Sequence, residues 1–147
     1  MKTLILKRHS EADLFSKQLT RRGQQDAIAF GHELSSLFRD KTVAVFSSRA
    51  QRAIDTAKLI IQGAGLDISA EIRDELYETA EAATVLQGIG RFVPEGVDVG
   101  LCVSHGSVVA ERVRPFLEKR GISSDLRFVN RHEALLYEVP GWNLVQG

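Results

Sequence analysis

The chain has 147 residues, 44% of them hydrophobic and 26% charged, with 19 basic residues against 19 acidic ones. That length suits one domain with a core that needs no staples, and a formal charge of zero argues against a polyanion or an anionic membrane surface as partner. No run of about 20 apolar residues exists to cross a bilayer.

The opening residues, MKTLILKRHS, hold too short an apolar stretch for a secretory signal and no small-residue cleavage site. Residues 3–7 (TLILK) read instead as a strand that stops at Arg8 and His9. Ala27, Phe30, Leu34 and Leu37 recur at steps of three and four, which predicts a helix with one apolar face. A second strand at 43–47 (VAVFS) ends in Ser47 and Ser48, and Arg49 and Arg52 open the next helix, whose apolar positions are Ala50, Ala53, Ile54, Ala57 and Ile61. A short strand and a weaker helical pattern at 81–92 follow. The third main strand, 99–104 (VGLCVS), ends in Ser104, His105 and Gly106. Within it Cys102 is best explained as a small apolar filler; as the single cysteine it points to a reduced, cytoplasmic setting. GSVVAERVR starts helical until Pro115, whose missing amide proton should kink or restart the helix. Residues 134–139 (ALLYEV) supply a further strand. No repeat, low-complexity tract or linker divides the chain, so one domain over residues 1–147 is expected.

Strands alternating with helices imply an α/β three-layer sandwich, a mostly parallel sheet with helices on both faces. Ligands in such sheets bind beyond the carboxyl ends of the strands. Three strand ends here deliver His9, His105, Arg8 and the arginines of the second helix to one edge. Arginines are permanently charged forks suited to phosphate or carboxylate oxygens. A neutral imidazole can attack phosphorus and carry the phosphoryl group covalently, and nearby guanidinium groups would hold it neutral while stabilising the transferring group.

LKRHSEAD, LTRRGQQDA, FSSRAQRAIDTA and LCVSHGSV, in that order, resemble the successive motifs of the histidine phosphatase superfamily, also called phosphoglycerate mutase-like, over about Leu4 to Val109. The short chain resembles its SixA-like branch of phosphohistidine phosphatases. The resemblance implies that His9 is the phosphorylated nucleophile, that Arg8, Arg52 and His105 surround the phosphate, and that no metal or other cofactor takes part. Three positions depart from the pattern: Ser10 stands where the family usually has glycine, Arg49 replaces the usual proline, and Ser104 replaces the usual glycine before the second histidine.

A leaving oxygen needs a proton, for which a carboxylic acid is the usual donor. Glu78, in the stretch Leu76, Tyr77, Glu78, resembles the acidic position of phosphoglycerate mutase relatives, with Glu11 and Asp13 as competitors. Between Arg52 and His105 little chain is left for a lid. An open site suits a phosphorylated side chain on another protein; a small phosphorylated molecule is the alternative partner, with no nucleic acid or membrane, and the oligomeric state is not read. A catalytically silent phosphate-binding module is a further alternative.

Other residues have simpler readings. Arg52 could pair with Asp55, and Arg49 could solvate its helix; Ser47, Ser48 and Ser107 suit helix caps. Arg21 and Arg22 suit a solvated turn, and His32 and His132 are structural or exposed. A cysteine phosphatase loop fails because Val108, not arginine, stands six positions after Cys102. The phosphate-binding loop of nucleotide hydrolases is absent, and the histidines lack metal-ligand spacing. CVSHG approaches the nucleophile elbow of serine hydrolases, with Ser104 before Asp125 and His132, but it lacks the first glycine and leaves Arg8, His9 and Arg52 unexplained.

Overall fold

A computed structural model of the chain describes residues 1–124 and 134–139. Strands β1 (Thr3–Arg8), β2 (Val43–Ser47), β3 (Glu71–Ile72), β4 (Val99–Ser104) and β5 (Ala134–Glu138) form one sheet in the order β3-β2-β4-β1-β5. Every pairing is parallel except that of β5 with β1. Central β4 is buried along its whole length, which is why its sequence runs apolar without alternation.

Alternate residues of the strands face opposite layers. Ile5, Val45, Leu101 and Val103 pack under α1 (Arg21–Phe38) and α2 (Gln51–Ala64). Leu4, Leu6, Phe46 and Cys102 pack under α3 (Ala82–Phe92), α4 (Gly106–Val108) and α5 (Arg114–Glu118). The two-faced sandwich is therefore as the alternation predicts. Gly31 and Gly63 let α1 and α2 touch backbone to backbone: a Cβ at either would collide with the carbonyl of Ile60 or Ile28.

The predicted helical faces need small corrections. In α1, Ala27, Phe30 and Leu34 are buried, but Phe38 closes the stripe and Leu37 is half-buried. In α2 the buried face is turned toward Thr56 and Ile60, leaving Ile54 half-buried, and Ala50 is the N-cap rather than a helical position. Before Pro115 the chain widens into a π-helical stretch, Val109–Val113, and resumes as α5. The wider turn absorbs the hydrogen bond that proline cannot donate.

Parallel register aligns Arg8 with Ser104 and Ser47 with Val103. Pairing continues one residue past each strand, His9 N–H donating to Ser104 O at 2.8 Å and Ser48 N–H to Val103 O at 2.9 Å. Three strands thus end level, at the edge the sequence marks for chemistry.

Candidate active site

His9 leaves β1 with its ring fixed from both nitrogens. Nδ1 lies 2.9 Å from Ser10 O; a carbonyl only accepts, so Nδ1 carries the proton and Nε2 presents its lone pair. Toward that lone pair Arg52 Nε–H donates at 3.3 Å. Burial, followed among the lowering influences by the charges of Arg52, Arg8 and Lys7, holds the His9 pKa below its ordinary 6.5, against an opposing pull from the Ser10 carbonyl. The imidazole is therefore neutral near pH 7.

Arg52 is held on the first turn of α2 by its own helix. Thr56, one turn on, donates its hydroxyl to Arg52 O at 2.7 Å and accepts Ser10 N–H at 3.0 Å, tying the end of β1 to α2. The Arg52 guanidinium also meets Glu78 Oε2 at 3.3 Å and His105 Nδ1 at 3.5 Å. Asp55 is held by Gln51, so the simpler alternative, a pairing of Arg52 with Asp55, gives way to the cluster.

His105 is buried, with its ring edge-on to that of His9 at 5.4 Å. Burial, with His9 and Arg52 adding to it against Glu78, lowers its pKa to about 4. Its Nε2 lies 2.9 Å from Ser48 Oγ, which accepts Ala50 N–H at 3.3 Å. A hydroxyl can accept from Nε2–H or donate to Nε2, so Ser48 accommodates either tautomer. The serines therefore do not cap helices as expected: Ser47 Oγ donates to Ser48 O, and Ser107 Oγ lies 3.5 Å from Glu78 O. The N-caps of α2 and α4 are Ala50 and His105, neither with a capping side chain.

Arg8 faces the α4 side of the sheet. A Cβ on Gly106 would sit 3.0 Å from its guanidinium carbon, so glycine there leaves the guanidinium room against the start of α4. Arg8, His9 and Arg52 line a cavity of about 860 Å³ between residues 10–17 and α1. His105 and Glu78 contact the Arg52 guanidinium but are not among the residues that line that cavity. Arg22 does line it; exposed as expected, it lies in the first turn of α1, which begins at Arg21, rather than on a turn.

The three acids have different fates. Glu11 accepts the Thr20 hydroxyl at 2.8 Å. Asp13 accepts the N–H groups of Ser16 and Phe15, which hold its carboxyl below the usual range. Glu78 alone of the three contacts Arg52. It stands on a turn that includes a short 3₁₀ helix, Asp74–Leu76, and is held by side chains: Ser104 Oγ donates to Leu76 O at 2.6 Å, and Arg112 donates to Glu78 O at 2.7 Å and Ala80 O at 3.0 Å.

Ser104 is buried and spends its proton on the Leu76 carbonyl, unlike an exposed nucleophile. The other members of that rival triad, Asp125 and His132, lie outside the described residues, and His32 is exposed. Cys102 is fully buried, which pushes its thiol pKa up. Among the described residues no group of three or more His, Cys, Asp or Glu is placed to hold a metal ion, and no helix is long and apolar enough to cross a membrane.

Sequence reading missed Thr56 and the parts played by Ser48 and Arg112. For Thr56 a signal existed, a hydroxyl four residues after Arg52 on the buried side of a helix. For Arg112 there was none, because its partners are backbone carbonyls more than 30 positions away.

Residues 4–88 match the sequence profile of the histidine phosphatase superfamily, branch 1. Among solved structures, the protein histidine phosphatase SixA complexed with tungstate is 25% identical, with a TM-score of 0.63 over 74% of this chain and 75% of that one. A mycobacterial glucosyl-3-phosphoglycerate phosphatase is 16% identical, with a TM-score of 0.59 over 80% of each chain. Phosphoglycerate mutase from Plasmodium falciparum is 19% identical, with a TM-score of 0.59 over 96% of this chain and 91% of that one. At those lower identities the likeness speaks for the fold alone. No curated protein sequence matches the chain.

Proposed function

Because the chain belongs to the histidine phosphatase superfamily, we propose that it hydrolyses a phosphorylated substrate through a covalent intermediate on His9, and that the substrate is a phosphohistidine side chain of another protein. The observation that carries the reading is the fixed tautomer of His9. Its Nδ1–H is taken by the Ser10 carbonyl, and the Nε2 lone pair stands beside Arg52.

The Nε2 lone pair attacks phosphorus in line as the bond from phosphorus to the leaving atom breaks. Arg8 and Arg52 bind the transferring oxygens, with His105, edge-on to His9 and in contact with Arg52, supporting them, and the positive charge offsets what develops on those oxygens. A leaving oxygen takes its proton from Glu78; a leaving imidazole departs from phosphorus more readily and depends on that proton less. Water then attacks phosphorus, its proton passes to Glu78, and His9 leaves as the free base. None of these steps calls on a metal ion.

Two observations support a protein as the leaving partner. Leu14 lines the cavity, whereas the adjacent Phe15 does not and is 95% exposed; a ligand confined to the cavity does not cover Phe15, but a protein surface beside it does. The likeness to SixA at 25% identity agrees. A cytoplasmic setting belongs to the same reading.

Phosphate release from a phosphohistidine peptide, aryl phosphates and small phosphorylated metabolites, with and without a chelator, tests this. The expected result is the highest kcat/KM on phosphohistidine, indifferent to the chelator. Phosphate binding without turnover of any substrate would leave a silent binding module. A preference for one small metabolite would overturn the protein assignment.

A further inference from the structure

Arg49 looks at first like a solvated arginine, half-exposed and paired at 3.3 Å with the more exposed Asp74. Exposed pairs of this kind contribute little. Its guanidinium carbon, however, lies 3.7 Å from the centre of the Tyr77 ring, and Tyr77 in turn stands edge-on to His105 at 5.7 Å. The residue after Tyr77 is Glu78, which meets Arg52 at 3.3 Å.

Arg49 thus grips the turn before Glu78 at two points, Asp74 and Tyr77. From the other side Ser104 holds Leu76 O and Arg112 holds Glu78 O. The turn's only strand, β3, has two residues, and Arg73 N–H donates to Ser47 O at 2.8 Å. Pairing with the sheet therefore ends just before the residues that need placing; the turn keeps its local backbone bonds, Tyr77 N–H to Asp74 O and Ala80 N–H to Tyr77 O, and side chains tie it to the rest of the fold.

We propose that Arg49 is a positioning residue: its stack on Tyr77 and its pair with Asp74 fix the turn that presents Glu78 to the leaving atom. The inference rests on the phosphatase reading and deepens it. Arg49 is not among the residues that line the cavity of Arg8, His9 and Arg52, so it acts on proton delivery and leaves nucleophilic attack alone. Stacking by a half-exposed cation on an aromatic face is modest, so a loss of about fivefold is expected, confined to substrates that need the proton.

The test compares kcat/KM on 4-nitrophenyl phosphate, whose leaving group departs without a proton, with kcat/KM on phenyl phosphate, whose leaving group needs one more. That constant reports only the steps through phosphoryl transfer to His9 and not the shared attack of water. Arg49→Ala should lower kcat/KM on phenyl phosphate about fivefold and leave that on the nitrophenyl ester unchanged. Glu78→Gln should show the same pattern at larger size, and Tyr77→Phe, which keeps the ring, should match the native protein on both substrates. Equal losses on both substrates for Arg49→Ala, no loss on either, or a Glu78→Gln variant blind to the leaving group would overturn the proposal while leaving the nucleophile assignment standing. Absence of turnover of both substrates by the unmodified protein would defeat the phosphatase reading itself, and this inference with it.

Discussion

His9 and His105 are placed by main chain, whereas Glu78 is placed by side chains. On the first side, parallel register sets Arg8 level with Ser104, and each strand pairs one residue further through the N–H groups of His9 and Ser48. On the second, the turn leading to Glu78 depends on Arg49, Ser104 and Arg112 reaching across to it. A position set by a sheet changes only if the sheet changes. A turn held by several separate contacts degrades in steps, so its variants should show graded losses where the first side shows abrupt ones.

Substitutions at the end of β1, at the start of α2 and at the turn sharpen this contrast. His9→Ala should lower turnover by about 10⁴-fold or more while leaving the melting temperature near native, checked by phosphate release and thermal unfolding. Arg52→Ala should cost about 10²- to 10³-fold in kcat/KM and weaken phosphate binding. It should also move the acid limb of the pH profile. His9 must be neutral to attack, so native activity falls as pH drops through a value below 6.5. Removing a charge that lowers it shifts that limb upward. Glu78→Gln should cost about 10²-fold in kcat/KM on a substrate with a poor leaving group and much less on phosphohistidine, read from the ratio of the two constants.

Ser104→Ala probes the side-chain tether directly. Loss of its bond to the buried Leu76 carbonyl should cost about 1 kcal/mol of stability, measured by denaturant unfolding, with activity retained within several-fold. Abolished activity would instead favour Ser104 as nucleophile. The smallest effect concerns acid stability. His105 titrates at about 4 in the fold against 6.5 as a free group, so between those values the unfolded chain binds more protons and stability falls as pH falls. Unfolding midpoints measured from pH 7 to 4 should decline, and the decline should be smaller in His105→Gln.

The same contrast explains what was legible in the sequence. Strand ends advertise themselves, because an apolar run that stops at Arg8 and His9 or at Ser104 and His105 fixes both the element and its edge. The sandwich, the main strands and the meeting of His9, Arg52 and His105 could thus be read from pattern and motif. Contacts that cross between layers leave no periodic trace. Arg49 reads as a solvated residue until Tyr77 is found beneath it, and Ser48 reads as a cap until His105 is found beside it. The phase of α2 was missed for a related reason: Thr56 is polar, yet it is buried because Ser10 and Arg52 supply its partners.

The central claim is that the Nε2 atom of His9 accepts the phosphoryl group. Rapid quenching of the protein during turnover of a labelled phosphorylated substrate, followed by peptide mapping, tests it directly. Label that survives alkali, is lost in acid and maps to the peptide containing His9 is the predicted result. Label on another residue, or undiminished turnover by His9→Ala, would contradict it.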